Sequence, residues 1–281
     1  MLASSATMRA RLTFDLSRLA AFGLLSLLSS GCGAVYPEVA TPVRQAPAGR
    51  NITPEPPPEL LYITFDKATI PKQTRDGRKW DSVGGNAPDP FAKLIVDGEE
   101  LIVTPIEANT LHPKWANQKR ANYKIDPSSK VVIELWDSNP INNSPICRMT
   151  ISQVHDKAGS TPEEILCNSG ARVELRVEPA RPVIGLGMFY ELQSRAVRVT
   201  RVVEVSPAAR AGVAAGVMIR SIQGKKVQTL DSAEAKSLIN ANASSGLDLT
   251  IEYEDGTQRQ VVLKEEAMYP QADEAVDLPY R

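Results

Sequence analysis

The sequence predicts a mainly β protein, an antiparallel β-sandwich followed by a smaller domain with a barrel-like sheet and two helices. Two observations support this fold class. Before residue 180, short segments alternate apolar and polar residues between Gly, Pro, Asn and Asp turn signals, and helical periodicity is nearly absent. After residue 181, strand, turn and helix patterns alternate. About 220 residues follow the N-terminal region, which is enough for two domains of ordinary size.

The N-terminus is typical of a secretory signal. A positively charged segment precedes an apolar run over residues 19–28, and three small residues follow at 29–31. The alternatives are a transmembrane helix and a buried core helix. The run is shorter than the ~20 apolar residues that a bilayer crossing needs, and the proline-rich segment that follows disfavours a core helix.

A cysteine follows the small residues directly, in the stretch LLSLLSSGCG. The stretch resembles the lipobox of bacterial lipoproteins, although Ser29 stands where Leu is usual. The resemblance implies cleavage before Cys32 and acylation of this residue, with residues 1–32 as the signal region. Gly33, in place of Asp, implies transfer to the outer membrane, where the anchored lipoprotein would face the periplasm.

Residues 33–58 contain seven prolines and few large apolar side chains. Such a composition favours extended polyproline geometry, so this segment is predicted to be a linker. At ~3.1 Å per residue, it would reach about 80 Å from the lipid surface.

The net charge and the cysteines limit which ligands and which covalent bonds the sequence predicts. The net charge of −1 gives no reason to expect nucleic acid. Cys147 and Cys167 are the two cysteines left if Cys32 is acylated, and an oxidising periplasm would pair them. Two buried thiols that never meet are the alternative. Cys-x-x-Cys spacing is absent, which disfavours zinc binding and redox catalysis.

Residues 59–179 read as the sandwich. LLYITFDKATI alternates as a half-buried strand should, and FAKLIVDGEELIVTPI reads as two strands around an Asp97-Gly98 turn. KVVIELWDSNP and RVELRVEP supply further strands. A short capped helical turn is predicted at residues 161–164.

The order of three segments resembles the C2 domain, a β-sandwich known for binding calcium and phospholipid. These segments are Asp-Pro-Phe at 89–91, Thr-Leu-His-Pro-Lys-Trp at 110–115 and Trp-Asp-Ser-Asn at 136–139. The resemblance implies a weak calcium site at most, because Asn and Ser stand where the family's strong binders have Asp. A C2 fold kept as a structural or protein-binding module is the alternative. The implied calcium ligands are Asp81, Asp89, Asp137, Asn139 and Ser144.

Residues 180–266 resemble a PDZ domain, and residues 267–281 form a C-terminal tail. SPAARAG and the following SIQGKKV carry this resemblance, whereas the usual Gly-Asp-x-Ile reads Gly-Val-Met-Ile at 216–219. Asp231 or Ser232 can cap the second helix, and Asp255-Gly256 predicts the last hairpin.

The resemblance implies a groove that captures the C-terminal peptides of envelope proteins. Backbone amides of GLGM would hold a carboxylate, since glycines let the chain curve without a side chain in the path. VIGL at 183–186 is a second possible register, and a tight glycine turn that binds nothing is the alternative. The implied peptide-binding residues are Arg181, Gly185, Leu186, Gly187, Met188, Ser232 and Lys236.

No catalytic pattern accompanies the two histidines, His112 and His155. The sequence therefore predicts a non-enzymatic, membrane-anchored protein-binding scaffold that requires no cofactor. A calcium- or phospholipid-responsive module acting through the C2-like domain is the alternative function. A structural spacer that uses neither site is a third.

Overall fold

The computed structural model describes residues 36–47, 52–80, 87–118, 120–159 and 161–280. Two short strands come first, followed by the eight strands of the predicted sandwich. These strands are β1 (Glu38–Ala40), β2 (Arg44–Gln45), β3 (Leu60–Thr69), β4 (Pro90–Val96), β5 (Glu99–Val103), β6 (Asn122–Lys124), β7 (Val131–Asp137), β8 (Ser144–Ile151), β9 (Glu163–Leu166) and β10 (Arg172–Pro179).

The sandwich consists of two antiparallel sheets, as predicted. One sheet has the order β6-β3-β10-β9 and the other has the order β5-β4-β7-β8. Alternate side chains of both sheets meet in one core that includes Phe65, Leu94 and Ile133. Trp115 packs edge-on against Phe65, with ring centroids 6.1 Å apart. These contacts make the aromatic pair a centre of the sandwich core.

β3 is buried on both faces, whereas the sequence predicts a half-buried strand. Its first six residues, 60–65, are all buried, including polar Thr64. Leu60 belongs to a second apolar cluster that it shares with Ile184 and Tyr269 of the C-terminal domain. The second face is therefore covered by a neighbouring domain, which the period of one strand cannot reveal.

A disulfide joins Cys147 of β8 to Cys167, which directly follows β9. Because β8 and β9 belong to different sheets, the bond connects the two layers of the sandwich, and the predicted pairing is confirmed. The predicted helical turn at 161–164 is wrong. Residues 163–166 form β9, which pairs with β10 along the sheet edge.

The C-terminal domain is built around a third sheet with the order β1-β12-β13-β14-β16-β17, and β15 pairs with β14. A small fourth sheet has the order β18-β11-β2. The elements are β11 (Val183–Gly185), β12 (Met188–Gln193), β13 (Ala196–Val202), α1 (Pro207–Arg210), β14 (Met218–Ile222), β15 (Lys225–Lys226), α2 (Ser232–Asn242), β16 (Leu247–Glu252), β17 (Gln258–Leu263) and β18 (Glu266–Met268).

Local sequence signals explain both helices and the last hairpin. Ser206 caps α1 by accepting a hydrogen bond from the Ala209 amide. Asp231, rather than Ser232, caps α2, and Glu234 completes a capping box. The turn between β16 and β17 contains Gly256 at φ 81°, a left-handed conformation that glycine adopts without strain.

The predicted linker and tail both contribute to the C-terminal domain. Residues 38–45, which we call the strap, lie within the segment 33–58 that the sequence analysis treated as a free linker. β1 of the strap pairs with β12, and β2 pairs with β11. The tail contributes too, because β18 extends into it as the other neighbour of β11. The strap and the tail are thus parts of the fold.

The part of the chain that the structure describes contains no helix with the length and apolar character of a membrane span. Cys32 and the predicted signal lie outside the described residues. The sandwich and the C-terminal domain belong to one compact unit.

Candidate functional site

The first candidate site is one end of the sandwich, which we call the loop end. The described loop residues 70–80, 87–89, 104–114, 138–143 and 167–171 gather there. Strand register places them together, because Pro90 at the start of β4 lies opposite Asp137 at the end of β7. In the other sheet, Arg172 pairs with both Thr69 and Leu166.

The predicted calcium ligands on the loop end fasten loops to one another. Asp137 is fully buried, and its Oδ1 accepts a hydrogen bond from the Asp89 amide at 2.9 Å. The Asp89 carboxylate accepts one from the Asn109 amide, and the Asp89 carbonyl accepts one from the Ser138 amide at 2.9 Å. Asp89 and Asp137 thus connect three loops through hydrogen bonds.

Asn139 and Ser144 lie beside Asp137, but their polar groups also serve the loop. The Asn139 side-chain amide donates to the Asp137 carbonyl and to Ser144 Oγ, both at 3.3 Å. Among the described residues, no three or more His, Cys, Asp or Glu side chains gather as metal ligands. Asp81 lies outside those residues. This donor set fits Ca²⁺ poorly, since the ion needs six to eight free oxygens.

A basic turn, residues 71–80, protrudes from the same end. It carries four cations and one carboxylate. The turn is ordered by Thr74, whose amide and hydroxyl both bond the Arg78 carbonyl. Trp80 Nε1 donates to the Pro71 carbonyl at 2.7 Å and anchors the turn on the sandwich core. Its four exposed cationic side chains are Lys72, Arg75, Arg78 and Lys79.

Exposed apolar side chains lie at the same end of the sandwich as the basic turn. Ile141, at the tip of the loop between β7 and β8, is 90% exposed. Ile106 and Leu166 are also largely exposed, and the Glu107 amide, beside Ile106, bonds the Pro90 carbonyl at this end. Exposed apolar groups together with cations at one end of a domain are typical of a surface that contacts a membrane or a protein partner.

The second candidate site is the edge of β12 in the C-terminal domain. The resemblance to a PDZ domain implies that a peptide pairs here, and in the structure the strap occupies this position. Val39 lies opposite Tyr190, and Ala40 lies opposite Phe189. The strap runs toward the GLGM loop, and the Thr41 amide donates to the Met188 carbonyl at 3.0 Å. The edge therefore already has a partner strand.

The residues of GLGM are packed within the domain. Leu186 and Met188 are buried in its core. Gly187 has φ 76°, and a Cβ there would lie 2.2 Å from the Ser206 Cβ. A Cβ on Gly185 would lie 2.8 Å from Val43 Cγ1 of the strap. Both positions thus require glycine because another group approaches the backbone closely. At Gly185 the approaching group is Val43 of the strap.

Of the other predicted peptide-binding residues, Arg181 contacts the sandwich and the remaining two lie on α2. The Arg181 guanidinium stacks over the Tyr62 ring at 4.0 Å and bonds the Glu178 carboxylate. Its charge is therefore engaged by the sandwich, contrary to its predicted place beside a peptide carboxylate. Ser232 and Lys236 are exposed on α2, one turn apart.

Burial and charge pairing shift the pKa values of two groups at the edge of β12. Burial raises the pKa of the Tyr190 phenol to about 12. A hydrogen bond from Arg201 lowers the pKa of Glu38, and Thr200 bonds the same carboxylate. The Glu38 carboxylate is therefore held in its charged form at the start of the strap.

Neither Ile141 nor the basic turn was predicted from the sequence as part of a site. The signal was present, because an isoleucine within the polar stretch DSNPINNS and four cations within ten residues can both be read directly. What was missing was their placement at the same end of the sandwich.

Comparison with known proteins supports the sandwich assignment. The C2 domain family model matches residues 70–166. This region is a C2-like domain. The match ends before residue 180, so the PDZ resemblance stays a prediction. None of the curated proteins compared with the chain matches it.

Two solved structures illustrate the likeness. The calcium-bound pair of C2 domains, A and B, of Extended-Synaptotagmin 2 shares 19% identity over 45% of this chain and 48% of that chain, with a TM-score of 0.34. The first C2 domain, domain A, of plant Extended Synaptotagmin 1 shares 16% identity over 44% of this chain and 96% of that chain, also with a TM-score of 0.34. The chain thus spans about half the length of the first of these structures.

Proposed function

We propose that the C2-like domain holds its loop end against an anionic lipid surface. In this proposal the protein is a non-enzymatic lipoprotein of the bacterial outer membrane that faces the periplasm, and Cys32 carries the acyl chains. The observation that supports lipid contact is the position of exposed Ile141 at the same end as the basic turn, residues 71–80.

The two features contribute in different ways. Burying an isoleucine side chain in the acyl region contributes about 1.5–3 kcal/mol. Each Lys or Arg near an anionic surface contributes about 1 kcal/mol, and salt screens this part. These values give weak binding in free solution. For a chain already anchored at Cys32, the effective concentration of lipid is high, so a weak contact is enough to orient the domain.

Calcium has no assigned part in this contact. The carboxylates of Asp89 and Asp137 accept amide hydrogen bonds that hold the loops together. The charge that attracts lipid comes from the basic turn, which needs no bridging cation. We therefore propose calcium-independent binding.

The test uses the mature chain with Cys32→Ser, so that vesicle binding reports the folded part alone. Co-sedimentation with phosphatidylglycerol-containing vesicles is compared with neutral phosphatidylcholine vesicles. We expect Ile141→Ser to weaken binding to the anionic vesicles about tenfold or more, because the inserted side chain is lost. Val262→Ser is the matched control, since Val262 is 66% exposed on β17 of the other domain.

A second variant removes the charge through Lys72→Gln, Arg75→Gln and Lys79→Gln together. We expect it to abolish the preference for anionic lipid and the salt dependence, while EGTA leaves binding by the parent chain unchanged. Equal binding by Ile141→Ser and Val262→Ser would overturn the proposal. Binding that requires added Ca²⁺ would instead restore the predicted metal site.

A second candidate function is peptide capture by the C-terminal domain, with C-terminal segments of envelope proteins as partners. The specific observation in its favour is that the edge of β12 accepts an antiparallel strand running toward the GLGM loop. That strand belongs to the same chain, so access to the edge depends on the strap.

A further inference from the structure

The strap, residues 38–45, presents alternate side chains to the C-terminal domain. Val39 packs against the same core cluster as Ile239 of α2. Thr41 is 1% exposed and Val43 is fully buried. Val39, Thr41 and Val43 are thus all β-branched, as suits a strand that covers a sheet edge and a neighbouring apolar surface, and the smaller Ala40 packs against the cluster that contains Val43.

The fit around Val43 is close. Its Cγ1 occupies the space that a Cβ on Gly185 would need, and Met268 of β18 lies in the same cluster. The Val43 amide donates to the Pro279 carbonyl at 2.8 Å, so the C-terminal tail bonds the strap as well. Pro42, which has no amide hydrogen, separates the part on β12 from the part on β11.

Polar contacts at the start of the strap are exposed and are formed by side chains. Arg201 bonds both Glu38 at 2.8 Å and Asp277 at 2.9 Å, and its guanidinium stacks over the Phe189 ring. Exposed ion pairs of this kind contribute at most about 1 kcal/mol. With only three residues in β1 and two in β2, the strap is a short edge element that can open before the domain unfolds.

We propose that the strap is a built-in competitor that keeps the edge of β12 closed, and that an extended partner segment binds there only by displacing it. This inference rests on the second candidate function. The strap itself defines the partner chemistry, an extended segment with β-branched side chains at alternate positions. A covalently attached competitor has a millimolar effective concentration, so it lowers the apparent affinity of a micromolar peptide by about 100-fold or more.

Strap release also changes the reach of the anchor, if Cys32 is the acylated residue. While the strap is docked, five residues, 33–37, connect Cys32 to β1, and they span at most about 17 Å. After release, residues 33–51 are available, with a reach of about 65 Å. Residues beyond them stay docked, because Tyr269 Oη bonds the Pro54 carbonyl. Partner binding would thus lengthen the tether.

The test inserts a protease recognition sequence between residues 47 and 52 of the full chain. Cleavage leaves the strap and the groove with their native side chains but makes the strap dissociable. The probe is a fluorescent synthetic peptide, PEVATPVRQ, which copies residues 37–45, and binding is read by anisotropy. We expect the cleaved protein to bind the probe at least about 100-fold more tightly than the uncleaved protein.

Point variants test the register independently. Val43→Asp places a charge in a buried position and should open the intact chain to the probe, whereas Gln45→Asp, with the same charge change at an exposed position, should not. Adding Gly185→Ala to Val43→Asp should weaken binding of the native probe, because the new Cβ clashes with the probe valine that corresponds to Val43. A probe with alanine at that valine should regain binding, because the clashing atoms are gone.

Each outcome decides the proposal. If Val43→Asp fails to fold, the cleaved protein gives the answer. If the cleaved protein stays folded but excludes the probe, or loses its fold when the strap dissociates, the strap is a fixed strand and the proposal is wrong. Equal probe binding by cleaved and uncleaved protein would also overturn it. None of these results affects the vesicle experiment, which reports on the sandwich.

Discussion

The two domains of this protein differ in whether the candidate site is accessible. The sandwich is held across its layers by the Cys147–Cys167 disulfide and leaves its loop end open, with Ile141 and a basic turn facing solvent. The C-terminal domain is closed at the edge of β12 by the strap. An edge strand with unpaired backbone groups is a template for association, and covering it prevents unwanted pairing. Of the two candidate sites, only the loop end of the sandwich is therefore a ready surface.

The two domains are also held together by different means. The sandwich is joined by a covalent bond within the domain, whereas the C-terminal domain relies on a segment that lies before the sandwich in sequence. The disulfide is insensitive to acid and to competing peptide segments. Docking of the strap can be reversed by acid or by a competing segment. Perturbations of the two domains should therefore have separable effects.

The largest expected effect comes from removing the disulfide. Cys147→Ala with Cys167→Ala should lower the free energy of unfolding of the sandwich by about 3 kcal/mol, because the unfolded chain regains the freedom of a loop of about twenty residues. Urea unfolding followed by tryptophan fluorescence measures this, since Trp80, Trp115 and Trp136, the only tryptophans, all lie in the sandwich region.

Hydrogen exchange of the C-terminal domain serves as the control for that experiment. Amides of β16 and β17 should keep their protection in the disulfide-free protein under native conditions. A matching loss of protection there would show that the two domains unfold as one cooperative unit.

A smaller effect is expected from the helix cap in the C-terminal domain. Asp231→Ala removes the acceptor for the Glu234 amide and should destabilise α2 by about 1 kcal/mol. Faster hydrogen exchange in residues 234–242 measures this change, while the tryptophan signal of the sandwich stays as before. Asp231→Asn retains a capping oxygen and should lie close to the parent protein. Equal loss in both variants would contradict a capping role.

The smallest expected effect concerns acid. The Glu38 pKa is lower in the folded protein than in the unfolded chain, chiefly through the hydrogen bond from Arg201. The stabilisation is therefore complete above the unfolded pKa of about 4.3 and is lost as the pH falls through the lower, folded pKa. The protection factor of the Thr41 amide, which donates to the Met188 carbonyl, should fall over that range.

Glu38→Gln is the control for the acid experiment. It should lower the protection factor of the Thr41 amide at neutral pH and remove the dependence of this factor on pH in the acid range. If the parent protein and Glu38→Gln share one acid profile, the ion pair with Arg201 does not hold the strap.

Local chemistry made several elements predictable. Asp97-Gly98 and Asp255-Gly256 set the two hairpins, because residues at these turns adopt positive φ. Asp231 at the start of α2 offers the nearest carboxylate to its first amides. The prediction failed at residues 161–164, where a capping pattern was followed by no apolar helical stripe. There, pairing with the free edge of β10 decided the structure.

The candidate sites were predictable only in part. The sequence led to Asp89, Asp137 and Asn139 as neighbours, and the structure brings them together. It could not show that their polar atoms bond the loops, because that depends on the approach of Asn109 and Ser138. Likewise, GLGM was predicted to curve around a peptide carboxylate, with a tight glycine turn as the alternative. The structure shows close approaches of its glycines to Ser206 and to Val43 of the strap, and the sequence did not indicate Val43 as a neighbour.

The sequence by itself determined five of the eight sandwich strands, β3, β4, β5, β7 and β10, together with the cysteine pair and the cap of α2, because alternation, composition and caps act over a few residues. Only the tertiary structure decided that a proline-rich segment would supply strands to a distant sheet and that β3 would be covered on both faces. Those outcomes arise from contacts between segments far apart in the chain, where the surface left unpaired by one element selects its neighbour. No local pattern encodes that choice.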